Sequence, residues 1–258
     1  MHNAAFDAMG IDLRWFAFEP EDIGAAMAAV RTLKFMGVSV TKPFKEQILA
    51  HVDQLDPTAA RIGAVNLVHN VDGLLVGYNS DWIGATQALR EQCELAGRRV
   101  AVLGSGGAAR AVVFGLVESG SDVYVFSRSE QRGSKLAADL GAAYGGQIAD
   151  AAVIGPQILV NATSIGSDLT SDVPVSDAVF GTARTVMDIV VRPGRSALLE
   201  RAAAAGSDAI GGVRMIVLQG AYAFELFTGL TAPVQVMQDA VERALREREQ
   251  IWTPRPGD

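Results

Sequence analysis

The sequence predicts an α/β protein of two units: a doubly wound, mostly parallel sheet, and a smaller α/β layer facing it across a cleft. Three observations predict it. Strand-like and helix-like segments alternate almost throughout the 258 residues, as parallel sheets require, because each parallel strand must be reached by a crossover. An apolar strand, Val100 to Leu103, leads directly into a glycine-rich turn and an apolar helix. Earlier, two short β-rich runs flank Asp72-Gly73, a strong hairpin signal.

The elements follow in order. Leu13 to Phe18 reads as a strand, and Pro20 to Leu33 as a helix opened by Glu19, Glu21 and Asp22. Phe35 to Val40 is a second strand, and Pro43 to about Val52 a second helix. Ala64 to His69 and Leu74 to Tyr78 form the hairpin, and Asp81 starts a helix running to about Leu95. Beyond the glycine-rich turn come strand Val123 to Phe126, helix Glu130 to Leu140, and strands Ile158 to Asn161 and Val186 to Val190. After Gly211-Gly212 two long helical patterns remain, Val213 to Phe227 and Ala232 to about Glu249. No internal repeat or low-complexity linker is present. The texture places a boundary near residue 83 and a return near 212, so that 1–82 with 212–258 form one domain and 83–211 the other.

Composition narrows the function classes. A formal charge of −7 argues against a general nucleic-acid-binding surface, which leaves a basic footprint. One cysteine, Cys93, excludes an intramolecular disulfide and a cysteine-rich metal site, and no metal-ligand spacing is evident. Apolar runs are broken well short of the roughly 20 residues a membrane span needs, and no signal peptide is seen, so the expected location is cytoplasmic. With three histidines and four lysines against eighteen arginines, a lysine in a pocket-like motif draws attention.

Gly104-x-Gly106-x-x-Ala109, between an apolar strand and a helix, is the dinucleotide fingerprint in its alanine-ended form, and marks the larger unit as Rossmann-type. Gly104 allows the tight turn, Gly106 lets backbone approach a pyrophosphate, and Ala109 permits close helix–strand packing. Ser105, Gly107 and Ala108 complete the loop, and the helix N-terminus offers unpaired N–H groups. Cofactor choice is read at the end of the next strand. An acidic residue there would bind the ribose 2′-hydroxyl of NAD. Here stand Ser127-Arg128-Ser129, with Arg132 and Lys135 one and two turns further. A guanidinium forks onto a 2′-phosphate, so NADP is expected, with Lys135 on a solvated face.

Gly37 through Lys45, Gly63-Ala64-Val65-Asn66, Gly77 through Asp81, Asn161 through Ser164, Met187-Asp188 with Pro193, and Met215 through Gln219 with Phe224-Glu225-Leu226 follow one another along the chain. In that order and spacing they resemble the shikimate dehydrogenase family across nearly the whole chain. The resemblance implies reversible hydride transfer between NADPH and 3-dehydroshikimate. Lys45 and Asp81 match the catalytic pair: reducing a ketone develops alkoxide character that an ammonium stabilises and protonates. Without the family, Lys45 reads as an exposed helix lysine and Asp81 as an N-cap carboxylate. Thr41, Asn66 and Gln219 match positions that hydrogen-bond substrate hydroxyls. Asn161, Thr163, Ser164 and Ile189 match loops beside the cofactor, and Met215 a residue near the nicotinamide. The resemblance also implies a homodimer.

Departures bear on the substrate. The family pattern places a strand and a loop with two carboxylate-holding serines ahead of His2-Asn3, and the sequence starts at Met1 without them; a late start and a natural variant both account for this. Ser39, Leu67, Ser80 and Val191 replace an asparagine, two threonines and a tyrosine of the pattern, and Lys42 adds a second lysine near Lys45. A paralogue acting on quinate or an aminated shikimate-like acid, and a catalytically silent NADP-binding sensor, are the alternative readings.

Overall fold

The computed structural model describes residues 1–167 and 172–252. The strands are β1 (Gly37–Ser39), β2 (Gln54–Leu55), β3 (Leu67–Val71), β4 (Leu74–Tyr78), β5 (Arg99–Leu103), β6 (Asp122–Phe126), β7 (Ala143–Gly146), β8 (Ile158–Asn161), β9 (Thr185–Asp188) and β10 (Asp208–Gly211). The α-helices are α1 (His2–Ala8), α2 (Ile23–Thr32), α3 (Pro57–Ile62), α4 (Asp81–Arg90), α5 (Gly107–Glu118), α6 (Glu130–Leu140), α7 (Ala197–Ala204), α8 (Gly212–Thr228) and α9 (Val234–Trp252).

The strands form two sheets. Six lie parallel in the order β10-β9-β8-β5-β6-β7. From β5 the chain winds one way to β7, then returns to β8 and winds the other way, so the order reverses between β5 and β8. A crevice opens at such a point beyond the strand C-termini. The register aligns Leu103 with Phe126 and Asn161, Asn161 with Asp188, and Asp188 with Gly211, so the functional loops leave the sheet along one line. Alternation along these strands feeds two cores. Val100, Val102, Val123, Val125, Val160 and Met187 face one side; Ala101, Leu103, Phe126, Leu159 and Val186 face the other.

The smaller sheet has the order β1-β3-β4-β2, antiparallel except for the β2–β4 pair. Val65, Val68 and Leu75 pack against Ile23, Met27 and Val30 of α2, whose N-terminus is capped by the Asp22 carboxylate accepting from Ala25 N–H at 2.9 Å. Ser39, Leu67 and Tyr78 are in register, so the chain leaves this sheet for Thr41, arrives from Asn66 and departs toward Asp81 at one end. Helix α4 sits between α8 and α5. A Cβ on Gly84 would meet the Met215 carbonyl at 2.5 Å, and one on Gly115 the Thr86 methyl at 2.6 Å, so only glycine admits both crossings.

Most expected elements form, with two corrections. Leu13 to Phe18 is not a strand. It runs with alternating sides, Leu13 and Trp15 inward and Phe16 and Phe18 outward, but no described strand pairs with it. The Asn3 amide takes the partner's place: its Oδ1 accepts from Trp15 N–H at 2.7 Å and its Nδ2 donates to Trp15 carbonyl at 3.0 Å. Pro43 to Val52 is not an α-helix but a turn followed by a 3₁₀ helix, Gln47–Ala50. The Lys45 carbonyl, which a helix would need for itself, accepts instead from Val65 N–H at 2.8 Å. Helix α4 also ends at Arg90 rather than Leu95, and α1, α3, α7, β2, β7 and β10 were not foreseen.

Candidate active site

The ends of the two sheets face each other, and the residues at the small-sheet end are joined through side chains. Lys45 Nζ lies 2.5 Å from Asp81 Oδ2. The other oxygen, Oδ1, accepts from Asn66 Nδ2 at 2.9 Å. Asn66 Nδ2 also lies 2.9 Å from Gln219 Oε1, and Asn66 Oδ1 accepts from Ser80 N–H at 2.7 Å. Ser80 Oγ approaches Gln219 Oε1 at 3.2 Å. The Asp81 carboxylate is therefore not a helix cap. Just ahead of the helix Asn79 closes an Asx turn: its Oδ1 accepts from Asp81 N–H at 3.0 Å while its amide donates to the Ala64 carbonyl at 2.9 Å, and the N-cap Ser80 makes no side-chain cap bond. Asp81, Asn66, Ser80 and Asn79 are buried, and Lys45 keeps only 17% of its side chain exposed, so the ammonium is held with a narrow face to solvent.

The phosphate loop meets this cluster directly. A Cβ on Gly107 would lie 3.0 Å from Lys45 Cβ, so the lysine stem packs on the start of α5. Gly104 has φ +117° and would place a Cβ 2.8 Å from the Ala162 carbonyl; no other residue fits that turn. A Cβ at Gly106 would meet nothing within 4 Å, leaving a cradle open to a pyrophosphate. No side chain caps α5, so its first N–H groups remain for a ligand. The residues present thus fit a dinucleotide.

The residues expected beside a cofactor fall into two groups. Asn161 is fully buried; its Nδ2 donates to Asp188 Oδ1 at 3.0 Å, and its Oδ1 accepts from Thr163 N–H at 3.1 Å and Thr163 Oγ at 2.7 Å. Ser164 beside them is exposed, while Met215 and Ile189 meet in one apolar cluster with Met187. The second group stands at the end of β6. Ser127 Oγ donates to the Ser129 carbonyl at 2.7 Å, and Ser129 Oγ caps α6 by accepting from Arg132 N–H at 3.3 Å. Arg128 is exposed and has no ion-pair partner among the described residues. Arg132 Nη2 lies 3.3 Å from Glu46 Oε1 and 3.5 Å from the Ser105 carbonyl. Lys135 pairs with Asp139 one turn on, a solvated face as expected. Ala108 is half-buried beside the loop, and Thr41 is exposed with its hydroxyl unbonded among the described residues. Val191, at the position where the resemblance implies a tyrosine, is 37% exposed.

Sequence reasoning missed Asn79, Ser80, Glu46, Asp188 and Ser196 as members of these networks. Asn79 carried a signal, an Asx residue two positions before a helix start; the others are brought in only by tertiary approach. Asp188 is 1% exposed and accepts from Ser196 Oγ at 2.6 Å and Val190 N–H at 3.2 Å; burial pushes its carboxyl up despite these bonds. No group of three or more His, Cys, Asp or Glu among the described residues could hold a metal, and no described helix is long and apolar enough to cross a membrane.

Comparison with known proteins adds three family matches. Residues 1–68 match the shikimate dehydrogenase substrate binding domain, 212–242 the shikimate 5'-dehydrogenase C-terminal domain, and 99–164 the coenzyme F420-dependent NADP oxidoreductases. The shikimate dehydrogenase (NADP(+)) of Methanothermobacter thermautotrophicus is 39% identical over 95% of this chain and 91% of its own length. That of Methanosarcina acetivorans is 40% identical, with 95% and 93% covered. Among solved structures, shikimate 5-dehydrogenase from Thermus thermophilus, in complex with NADP(H) and shikimate, superposes with a TM-score of 0.86 at 37% identity over 95% of this chain and 93% of that one.

Proposed function

The chain belongs to the shikimate dehydrogenase family, and on that premise we propose that it interconverts 3-dehydroshikimate and shikimate with NADP, using Lys45 and Asp81 to handle the proton. The observation that carries the reading is the Lys45–Asp81 contact at 2.5 Å, packed through the lysine stem on the phosphate loop. The cofactor's contribution is a hydride for the ring carbonyl carbon. Lys45 Nζ stabilises the oxyanion that forms and gives it a proton; in the reverse direction the same nitrogen takes the proton from the hydroxyl. Asp81 holds the ammonium through Oδ2, and Asn66 fixes that carboxylate through Oδ1. Asn66, Gln219 and Thr41 are assigned to the substrate hydroxyls. Gly104, Ser105, Gly106, Gly107 and Ala108 are assigned to the pyrophosphate, Ser127, Arg128, Ser129 and Arg132 to the 2′-phosphate ribose, and Asn161, Thr163, Ser164, Ile189 and Met215 to the nicotinamide side.

In the same proposal, residues 1–82 and 212–258 form the substrate side and 83–211 the cofactor side, with α4 and α8 joining them. A cytoplasmic location and a homodimer belong to it too. The test is initial velocity of the purified protein on shikimate and on quinate, each with NADP and NAD, followed by nicotinamide absorbance. Turnover fastest with shikimate and NADP, collapsing in Lys45→Ala, is the expected result. Cofactor binding without turnover on either acid would overturn it in favour of a sensor, and faster turnover of quinate would move the substrate.

A further inference from the structure

We propose that Glu46 is a specificity-determining residue: it holds Arg132 as a bar across the cofactor groove and thereby weakens binding of NADP but not of NAD. The inference rests on the reading that Arg132 takes the 2′-phosphate. Arg132 lies in the first turn of α6, just past the end of β6, where the two cofactors are told apart. Its guanidinium does not stay on that side. Nη2 reaches Glu46 Oε1 at 3.3 Å and the Ser105 carbonyl of the phosphate loop at 3.5 Å. Glu46 follows Lys45 directly and belongs to the turn after β1, so one guanidinium ties the cofactor side to the substrate side over the mouth of the glycine loop.

A carboxylate and a phosphate are alternative partners for one guanidinium fork. Arg132 therefore leaves Glu46 when it engages the 2′-phosphate, and the vacated carboxylate then stands near a group carrying a charge of about −1.5 to −2. Both effects oppose NADP. NAD makes no demand on the guanidinium, which can shift over the loop while keeping its carboxylate. Arg132 and Glu46 are 59% and 47% exposed, so the pair is open to solvent and weak enough to exchange. Arg128 beside it has no ion-pair partner among the described residues, so Glu46 is the carboxylate paired with an arginine of this subsite.

The experiment is calorimetric titration of NADP and of NAD into the intact protein, for wild type, Glu46→Gln, Arg132→Ala and the double variant, with thermal unfolding confirming that each is folded. Glu46→Gln tightens NADP about three- to fivefold, as expected for an exposed ion pair. It leaves NAD within about twofold, and its gain shrinks at high salt and in the Arg132→Ala background. Arg132→Ala alone weakens NADP by about tenfold or more. If Arg132→Ala weakens NADP while Glu46→Gln leaves it unchanged, weakens it, or tightens both cofactors equally, the role of Glu46 is wrong and the 2′-phosphate reading stands. If Arg132→Ala leaves NADP binding unaltered, the reading itself fails and the inference falls with it.

Discussion

Two buried aspartates stand at the ends of the two sheets, 4% and 1% exposed, and their surroundings differ in one respect. Asp81 faces an ammonium, Lys45, at 2.5 Å, with Asn66 on its second oxygen. Asp188 accepts its hydrogen bonds among the described residues from neutral groups, Ser196 Oγ, Asn161 Nδ2 and the Val190 N–H, while the Arg192 charge also acts on it. The first arrangement is the one assigned to the proton in the proposed reaction. The second ties β8 to β9 and to the Ser196 cap of α7. A buried carboxylate is thus not in itself a sign of chemistry; what it is paired with decides.

The sharpest break in this comparison is Lys45→Ala. The shikimate turnover number falls about 10²- to 10⁴-fold, the range for losing a general acid–base group, while NADP affinity measured by titration stays within a few-fold. The Asp188→Ala counterpart inverts the balance. It strands Asn161 Nδ2 and Ser196 Oγ, so stability in urea falls by about 2–3 kcal/mol, and turnover falls far less than for Lys45→Ala. Equal turnover losses in the two variants would erase the distinction drawn between the aspartates.

How much of this was legible before folding depended on whether the signal was local. The phosphate loop was, because its glycine spacing stands between an apolar strand and a helix that are its neighbours in sequence, although the Ala162 carbonyl that Gly104 must clear lies beyond β8. Gln219 was named through the resemblance, and the fold brings its side chain to Asn66 and Ser80. Leu13 to Phe18 was misread because its period-2 pattern is real, but a strand also needs a neighbour, and the Asn3 amide that substitutes for one is a tertiary accident of α1. The turn at Pro43 was misread for a related reason: Val65, twenty residues away, takes the Lys45 carbonyl. Glu46 and Ser196 could not have been found, since nothing near them in sequence indicates Arg132 or Asp188.

Acid sensitivity sharpens the comparison from outside both sites. His2, 6% exposed and stacked on Trp15 at 4.0 Å, has its pKa lowered from 6.5 to about 4 by burial. The folded state therefore resists the proton that the unfolded state accepts, so stability is full above pH 6.5 and is lost as pH falls toward 4, by at most about 3 kcal/mol. Asp188 acts with the opposite sign: its raised pKa favours the folded state below 3.8, and that contribution fades as pH rises through its folded value. Denaturant titrations across this range should show His2→Phe flattening the limb between pH 6.5 and 4. Asp188→Asn should leave that limb standing and remove only the opposing drift. A limb unchanged in His2→Phe would place the acid-sensitive group elsewhere.

The smallest effect tests whether the Asp81 cluster separates substrate binding from proton transfer. Ser80 Oγ touches Asn66 and Gln219 but neither Lys45 nor Asp81. Ser80→Ala removes that contact while the backbone N–H of residue 80 still holds Asn66 Oδ1. The Lys45–Asp81 contact is untouched, so the proton step should keep its rate. What loosens is the orientation of the two amides assigned to the substrate hydroxyls, worth about 1 kcal/mol for one neutral hydrogen bond. KM for shikimate should therefore rise about fivefold with kcat within about twofold, since a lost uniform binding interaction raises KM alone. A fall in kcat with KM unchanged would mean that Ser80 acts through Asp81 after all, and that binding and proton transfer share one hydrogen-bonded unit.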